Sequence, residues 1–290
     1  GLSIKGSGTR VHVSVTSSML YSGDLEFEGH FGVSSQILVA GSTLVTTLSS
    51  AIHFLRSTFG ENTKLLLLDN YIEGDIYAVY LSVVALVDGG GIIVKGNTLR
   101  TKKKDEKLSS ALLVETVDVG KGGYFDVENN TMSAVNGIYL FEVTTLRSAG
   151  LLRVANCTFV GRAEGFDSTL VFLEGSVTLQ GGAQWRVEGN SVTAFSIISI
   201  ARPQDSIELL CSGTTVVLAH NRQLEGSAFF ADLALSNTIV VSPAQFVVGC
   251  NLKDGEEVSY DGVFPGEVEV FRCGTCNDDA ACYMPGTESV

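Results

Sequence analysis

Apolar and polar residues alternate in short segments that recur along this chain of 290 residues. Four clear copies end in a small residue followed by Asn, at residues 92–97, 125–130, 185–190 and 246–251. The residues five and three positions before that Asn are apolar in each copy, whereas their neighbours include Asp126, Glu128 and Arg186. Because successive side chains of a strand point to opposite faces, this period of two predicts a strand with one buried and one solvent-exposed face.

Five weaker copies extend the pattern; they end at Ser7, His30, Asn70, Cys157 and Asn221. The nine copies are separated by 23, 40, 27, 33, 27, 33, 31 and 30 residues. A strand that returns every ~30 residues in one register is typical of a stacked solenoid. We therefore predict an all-β fold, a right-handed parallel β-helix of the pectin-lyase-like type. A leucine-rich repeat lacks its L-x-x-L-x-L run, and a propeller blade needs ~40–45 residues.

The Asn that closes most copies has a predicted structural role. In a stack of coils, amide side chains at one corner hydrogen-bond along the solenoid and to the backbone. Asn also tolerates the left-handed backbone of such a corner. The predicted ladder comprises Asn70, Asn97, Asn130, Asn190, Asn221 and Asn251. Cys157 falls in the same column, as a buried small residue.

The repeats divide the chain into two parts. They fill residues 1–252, with a second strand predicted between most copies at residues 75–84, 111–116, 137–143, 169–173, 195–200 and 228–233. Residues 253–290 are acidic and contain three of the six cysteines, so we assign them to a short cysteine-rich segment that begins a further module. The abrupt ends of the chain indicate part of a larger protein.

Composition and charge narrow the function classes. With 45% hydrophobic and 18% charged residues the chain is not disordered, and its 32 Gly argue against a helical bundle. The net charge of −13 makes nucleic acid and anionic membrane poor partners. The longest apolar stretch, residues 77–87, is well short of the ~20 residues of a membrane-spanning helix. The basic run at residues 100–107 is assigned to a solvated loop, with a heparin-type contact as the alternative.

The cysteines favour disulfide bonds. The candidates are Cys250, Cys273, Cys276 and Cys282. The C-x-x-C spacing of Cys273 and Cys276 also occurs in zinc and redox sites, but no His follows Cys276 and no helix is predicted behind it. Zinc and free thiols stay as alternatives, and the pairing is left open because six cysteines allow many connectivities. We predict no metal and no other cofactor.

Two acceptor triplets for N-glycosylation begin at Asn129 and Asn156. Each Asn stands one residue before the predicted corner column, where its side chain is expected to point outward. Together with the cysteine pattern, these triplets predict an exported protein.

Three carboxylates are candidate catalytic groups, because many parallel β-helices cleave acidic polysaccharides. Glu115 and Glu142 lie 15 residues before the ends of their copies, and Glu174 lies 16 before its own. If they stacked on neighbouring coils, repulsion would raise their pKa values or Ca²⁺ would bridge them. No Arg or Lys base stands beside them, and no G-x-S-x-G, H-E-x-x-H or phosphate-loop motif occurs. We expect solvent-facing carboxylates without chemistry.

Residues 182–195, 216–227, 240–252 and 257–290 carry a resemblance to a known family. With segments such as AQWRVEGNSVTA and FRCGTCNDDAACYMPG, the chain resembles the dispersed gene family surface proteins of trypanosomatid parasites. The resemblance implies a large glycosylated surface protein. In that family a β-helical, adhesin-like ectodomain precedes cysteine-rich segments and membrane spans. It transfers no catalytic residues.

Three functional hypotheses follow. The first is a non-enzymatic, adhesin-like cell-surface module that binds host matrix protein or glycan through outward strand positions and the loops near residues 31–64 and 100–110. The second is a polysaccharide lyase or glycoside hydrolase that uses the three carboxylates. The third is a structural coat without a ligand. We expect no nucleic-acid partner and no membrane insertion by this part, with an anchor in segments outside it.

Overall fold

The computed structural model describes residues 1–162, 167–200, 206–209, 213–225, 230–231, 238–240, 244–259 and 269–272. The regular structure in these residues is all strand, and the strands form three sheets. A typical coil contributes one strand to each sheet before the chain passes to the next coil.

The strands are numbered in chain order. The first sheet contains β1 (Leu2–Gly8), β4 (Leu25–Phe31), β7 (Ser50–Phe59), β10 (Tyr77–Leu86), β13 (Ser110–Val119), β16 (Asn136–Leu146), β19 (Thr169–Leu179), β22 (Ser196–Ile200), β23 (Ser206–Leu209), β26 (Phe230–Ala231) and β27 (Thr238–Val240). The second contains β2 (His12–Thr16), β5 (Gln36–Ala40), β8 (Lys64–Leu68), β11 (Gly91–Lys95), β14 (Tyr124–Glu128), β17 (Leu151–Ala155), β20 (Gln184–Glu188), β24 (Thr215–Ala219), β28 (Gln245–Gly249) and β31 (Glu269–Arg272). The third contains β3 (Met19–Tyr21), β6 (Thr43–Val45), β9 (Tyr71–Gly74), β12 (Thr98–Thr101), β15 (Thr131–Ala134), β18 (Thr158–Gly161), β21 (Ser191–Thr193), β25 (Arg222–Glu225), β29 (Leu252–Lys253) and β30 (Glu256–Glu257).

Strand pairing is parallel across the described residues, apart from the short antiparallel pair of β29 and β30. Three parallel sheets built from one strand per coil make a parallel β-helix, so the predicted fold class is confirmed.

The solenoid interior is filled by like residues from successive coils. Strand register places Phe125 over Ile92 and Val127 over Val94, and all four are buried. Each large apolar side chain stabilises the fold by ~1.5–3 kcal/mol when it is buried. A slip of one residue would turn a whole strand inside out, so these columns fix the register.

The first two copies of the sequence pattern do not belong to the same sheet as the other seven, although the sequence places all nine in one column. The copies that end at Ser7 and His30 are β1 and β4 of the first sheet, whereas the later copies are strands of the second sheet. The second sheet begins with β2 and β5, and the corner after β5 is Ser42, whose backbone N donates to Asn70 Oδ1 at 2.9 Å. Strands of both sheets alternate with a period of two, so alternation alone does not distinguish them.

The remaining strand predictions differ from the structure in extent. The second predicted strand of each coil belongs to the first sheet. β13, β16 and β19 are longer than predicted, β10 has the predicted length at shifted bounds, and β22 and β26 are shorter. The strands of the third sheet have two to four residues, too few to show alternation, and were not predicted. Residues 269–272 pair in parallel with β28, so strand stacking extends past the predicted boundary at residue 252.

An asparagine ladder occupies the corner between the second and third sheets. Asn97 Oδ1 accepts hydrogen bonds from the backbone N and the Nδ2 of Asn70, at 2.9 and 3.0 Å. The same pair of bonds joins three further couples: Asn97 to Asn130, Asn190 to Asn221, and Asn221 to Asn251. Cys157 interrupts the column, with its Sγ 3.9 Å from Asn130 Nδ2.

Candidate ligand-binding face

The outer side of the first sheet carries two rows of side chains that run along the solenoid axis. Register aligns His53, Tyr80, Leu113, Tyr139 and Phe172 in one row. It aligns Leu55, Ser82, Glu115, Phe141 and Glu174 in the other. Neighbours in a row are ~4.8 Å apart, and the rows are ~7 Å apart. We name the following set the aromatic face: His53, Tyr77, Tyr80, Leu113, Glu115, Tyr139, Phe141, Phe172 and Glu174.

The rings of the aromatic face pack on one another rather than on the solenoid interior. The ring centroid of Tyr139 lies 5.1 Å from that of Phe172 and 5.8 Å from that of Phe141. Tyr77 and Tyr80 are 5.4 Å apart. These residues form an apolar cluster separate from the core. Such ring pairs contribute ~0.5–1.5 kcal/mol beyond area burial.

Two Tyr–Glu hydrogen bonds repeat with the same diagonal step. The Tyr80 hydroxyl donates to Glu115 on the next coil, and the Tyr139 hydroxyl donates to Glu174 on the coil after its own. Ser82 Oγ also donates to Glu115, at 2.6 Å. Burial, followed by the bond to Glu115, raises the pKa of Tyr80 to about 12. Tyr80 is therefore a neutral donor near pH 7 that orients the Glu115 carboxylate.

The three carboxylates, whose stacking was the condition for a catalytic site, do not stack on one another. Glu115 and Glu174 align with Phe141 from opposite sides, so an aromatic ring separates them. Glu142 is displaced to a bulge between β13 and β16, where its φ is +63° and it accepts a hydrogen bond from Thr116 Oγ1 at 2.8 Å. The extra residue in β16 shifts the alignment, so equal spacings in sequence do not give equal positions.

Exposure divides the aromatic face into a floor and an accessible row. The floor consists of residues at most 7% exposed: Leu113, Tyr139 and Phe172. The accessible row consists of half-buried residues of the second register row: Glu115, Phe141 and Glu174. Tyr80, in the first row, is half-buried beside it. Glu142 is exposed beside this row. A ligand would therefore meet the Phe141 ring with a carboxylate on either side.

The basic run reaches the edge of the aromatic face. Arg100 lies on β12, and the loop that follows carries Lys107 Nζ to 5.5 Å from the centroid of the Phe172 ring. Asn136 Nδ2 donates to the Lys107 carbonyl at 2.9 Å and holds the loop there. The expectation of a freely solvated loop thus missed the contact that partly covers the floor.

His53 extends the first row beyond Tyr80. Their rings stack with centroids 4.4 Å apart and planes within 12°. Burial lowers the pKa of His53, against the opposing charge of Glu26, so the ring is neutral near pH 7. Among the described residues its buried Nε2 has no hydrogen-bond partner.

The outer side of the second sheet carries carboxylates that are paired with arginine. Arg153 Nε lies 2.9 Å from Glu188 Oε1, and Arg153 Nη1 lies 3.5 Å from Asp126 Oδ2. Burial opposes ionisation of Glu188, but hydrogen bonds from Arg186 and Arg153 lower its pKa overall. Such surface pairs contribute ~0.2–1 kcal/mol, so we assign this network to the stability of the sheet.

The acceptor asparagines lie at the ladder corner. Asn129 and Asn156 are exposed on neighbouring coils, with left-handed φ values of 55° and 53°. The backbone N of Asn129 donates to the carbonyl of Ala155 at 3.0 Å, which places the two sites one coil apart. Glycosylation of either residue stays a prediction.

Only part of the cysteine set falls in the described residues. Cys157 is buried in the ladder, and burial raises the pKa of its thiol to about 11. Cys250 is also buried, with a left-handed φ of 52°. Cys211, Cys273, Cys276 and Cys282 lie outside the described residues, so the disulfides stay predictions.

Within the described ranges, no three His, Cys, Asp or Glu side chains are grouped so that they could hold a metal ion. A search of the same residues finds no helix with the length and hydrophobicity to span a bilayer.

Comparisons with known proteins identify no family for this chain. No protein-family model matches the chain, and no curated protein matches it. Among solved structures, the chain is similar to QnrB1, a plasmid-mediated fluoroquinolone resistance protein. The TM-score is 0.27 at 9% identity, over 91% of this chain and 92% of that chain. At that score the likeness carries no argument, and the fold assignment rests on the three parallel sheets.

Proposed function

We propose that this chain is a non-enzymatic binding module of a cell-surface protein and that it holds glycan on the aromatic face. The observation that carries the proposal is the half-buried ring of Phe141, placed between the carboxylates of Glu115 and Glu174. A sugar ring has an apolar face that packs on an aromatic side chain, and hydroxyl groups that donate to carboxylates.

The stacking of coils extends this surface along the solenoid axis. The floor of Leu113, Tyr139 and Phe172 fixes the accessible row from below, and the interior columns fix the register of the coils. Because the row repeats at the strand spacing, it suits an extended polymer that makes shallow contacts with several coils at once.

A location at the cell surface is part of the proposal. It is supported by the exposed acceptor residues Asn129 and Asn156 and by the resemblance noted from the sequence. A matrix protein as partner, in place of a glycan, is an outcome that the test below separates.

One observation supports a second candidate, a glycoside hydrolase. Glu115 and Glu174 are two strand spacings apart along the axis. That spacing is ~10 Å, just above the ~6.5–9.5 Å that separates the two carboxyl groups of inverting glycosidases. We favour binding because Tyr80 and Tyr139 already donate to these carboxylates.

The test is an array of polysaccharides and matrix proteins, probed with the chain secreted from a eukaryotic host. Both retained protein and newly released sugar ends are measured. We expect saturable retention on a glycan without release, and its loss in Phe141→Ala. The control is Leu66→Ala, which alters a half-buried outward residue of the second sheet. Sugar release that Glu115→Gln abolishes would establish the hydrolase, and retention unchanged in Phe141→Ala would overturn the proposed face.

A further inference from the structure

Carboxylates dominate the charge of the accessible row. Glu115 and Glu174 lie one strand spacing on either side of Phe141, and the exposed Glu142 follows Phe141 directly. A cation, Lys107, lies nearby, over Phe172 in the floor.

This distribution selects among glycans by charge. The chain as a whole carries a net charge of −13, so its long-range field repels sulfated and uronate polymers. Three carboxylates on three successive coils, Glu115, Glu142 and Glu174, add a local negative potential. Salt screens this potential beyond a distance of ~8–10 Å. The net charge and the local potential would both attract a ligand with ammonium groups. An aromatic ring also attracts a cation.

We infer that the aromatic face binds a linear amino-sugar polymer with free amines, of the β-linked glucosamine type, laid along the solenoid axis. The inference rests on the proposed function and names its ligand class. Phe141 packs on one sugar ring, and Glu115 and Glu174 accept charge-assisted hydrogen bonds from ammonium groups on either side. The Tyr–Glu pair recurs after two coils, ~10 Å along the axis, so equivalent groups of the polymer meet equivalent carboxylates.

The experiment measures affinity by calorimetry with four probes of matched length: glucosamine hexamer, N-acetylglucosamine hexamer, a heparin oligosaccharide and hexalysine. We expect the glucosamine hexamer to bind best, and more weakly as salt rises. Glu115→Gln and Glu174→Gln should each weaken it by about ten-fold or more, because a hydrogen bond to a charged group is lost. Glu61→Gln is the control, since Glu61 is an exposed carboxylate at a corner outside the face.

The outcomes separate this inference from the proposed function. Equal binding of the acetylated hexamer, unaffected by Glu115→Gln and lost in Phe141→Ala, overturns the amine inference and leaves glycan binding intact. Tighter binding of the heparin oligosaccharide than of the glucosamine hexamer also overturns the amine inference and leaves glycan binding intact. Hexalysine binding as tightly as glucosamine, with no dependence on Phe141, shows simple charge attraction and overturns the inference. If no glycan binds, both the amine inference and the proposed glycan-binding function are overturned. Thermal unfolding of each variant confirms that a loss of binding is not a loss of fold.

Discussion

Asn97 Oδ1 accepts two hydrogen bonds from Asn70, one from its backbone N at 2.9 Å and one from its Nδ2 at 3.0 Å. Asn97 Nδ2 in turn donates to the carbonyl of Leu67 at 2.8 Å. The buried amide therefore ties two coils at the corner and satisfies polar groups that water cannot reach. The ladder keeps the coils in register, and the rows of the aromatic face depend on that register.

Asn97→Ala should destabilise the fold strongly. It leaves the donors of Asn70 and the carbonyl of Leu67 without their partner, and each unsatisfied buried group costs ~1–3 kcal/mol. We expect a loss of about 3 kcal/mol, measured by urea unfolding with the fluorescence of Trp185, the single tryptophan, as the signal. Thr131→Ala, at an exposed position of β15, is the control. A loss no larger than that control would mean that the ladder contributes little.

Cys157→Asn should stabilise the fold, because it completes the ladder. The sulfur is a weak acceptor 3.9 Å from Asn130 Nδ2, and an amide oxygen would accept that bond better. We expect a gain of about 1 kcal/mol in urea unfolding. Cys157→Ser, which is too short to bridge the coils, should show no gain. A lower unfolding midpoint in Cys157→Asn would show that the site has no room for an amide.

Val83→Gly should also stabilise the fold. Val83 is a β-branched residue with φ +52° and is 49% exposed. A left-handed backbone costs a residue with a Cβ ~1–2 kcal/mol, and glycine avoids this cost. We expect a net gain of about 0.5–1 kcal/mol after the larger entropy loss of glycine. Val160→Gly, at 41% exposure on β18, should destabilise instead. Equal losses in both variants would contradict the strain assigned to Val83.

The free energy of unfolding should fall as the pH drops below 6.5, the ordinary pKa of histidine, and His53 contributes to this fall. Burial lowers the pKa of His53 from 6.5, so below that pH the unfolded chain binds more protons than the folded one. The contribution is present above 6.5 and is lost as pH falls towards the lowered value. His53→Phe keeps the stack on Tyr80 and removes the titration. Its unfolding midpoint should therefore fall less between about pH 7 and about pH 5. Parallel curves for the two proteins would contradict this assignment.

The sequence predicted the solenoid because its interior demands one residue type at each register. Phe125 and Val127 stand in columns that every coil repeats, and the ladder asparagines mark one corner. The aromatic face was missed for the opposite reason. Tyr80 lies in the strand predicted at residues 75–84 and in the apolar run at residues 77–87, but the alternation of that strand does not show what covers its outer side. Such a run, apolar on both parities, indicates a strand covered on both faces.

The carboxylates show a second limit of the sequence. Glu115 and Glu142 are equally far from their corners, so spacing suggested that they stack. The bulge at Glu142 breaks this relation, since one extra residue in β16 moves Phe141 into the register of Glu115. A bulge depends on local strand geometry and leaves no mark in residue spacing.

Hydrogen–deuterium exchange of the chain, with and without the tightest-binding glycan of the array, locates the binding surface directly. We expect added protection confined to the four central strands of the first sheet, β10, β13, β16 and β19, and to the loop that carries Lys107. Phe141→Ala should abolish this protection, while Leu66→Ala should leave it unchanged. Protection centred on the second or third sheet, or protection that survives in Phe141→Ala, would show that the aromatic face is not the binding surface.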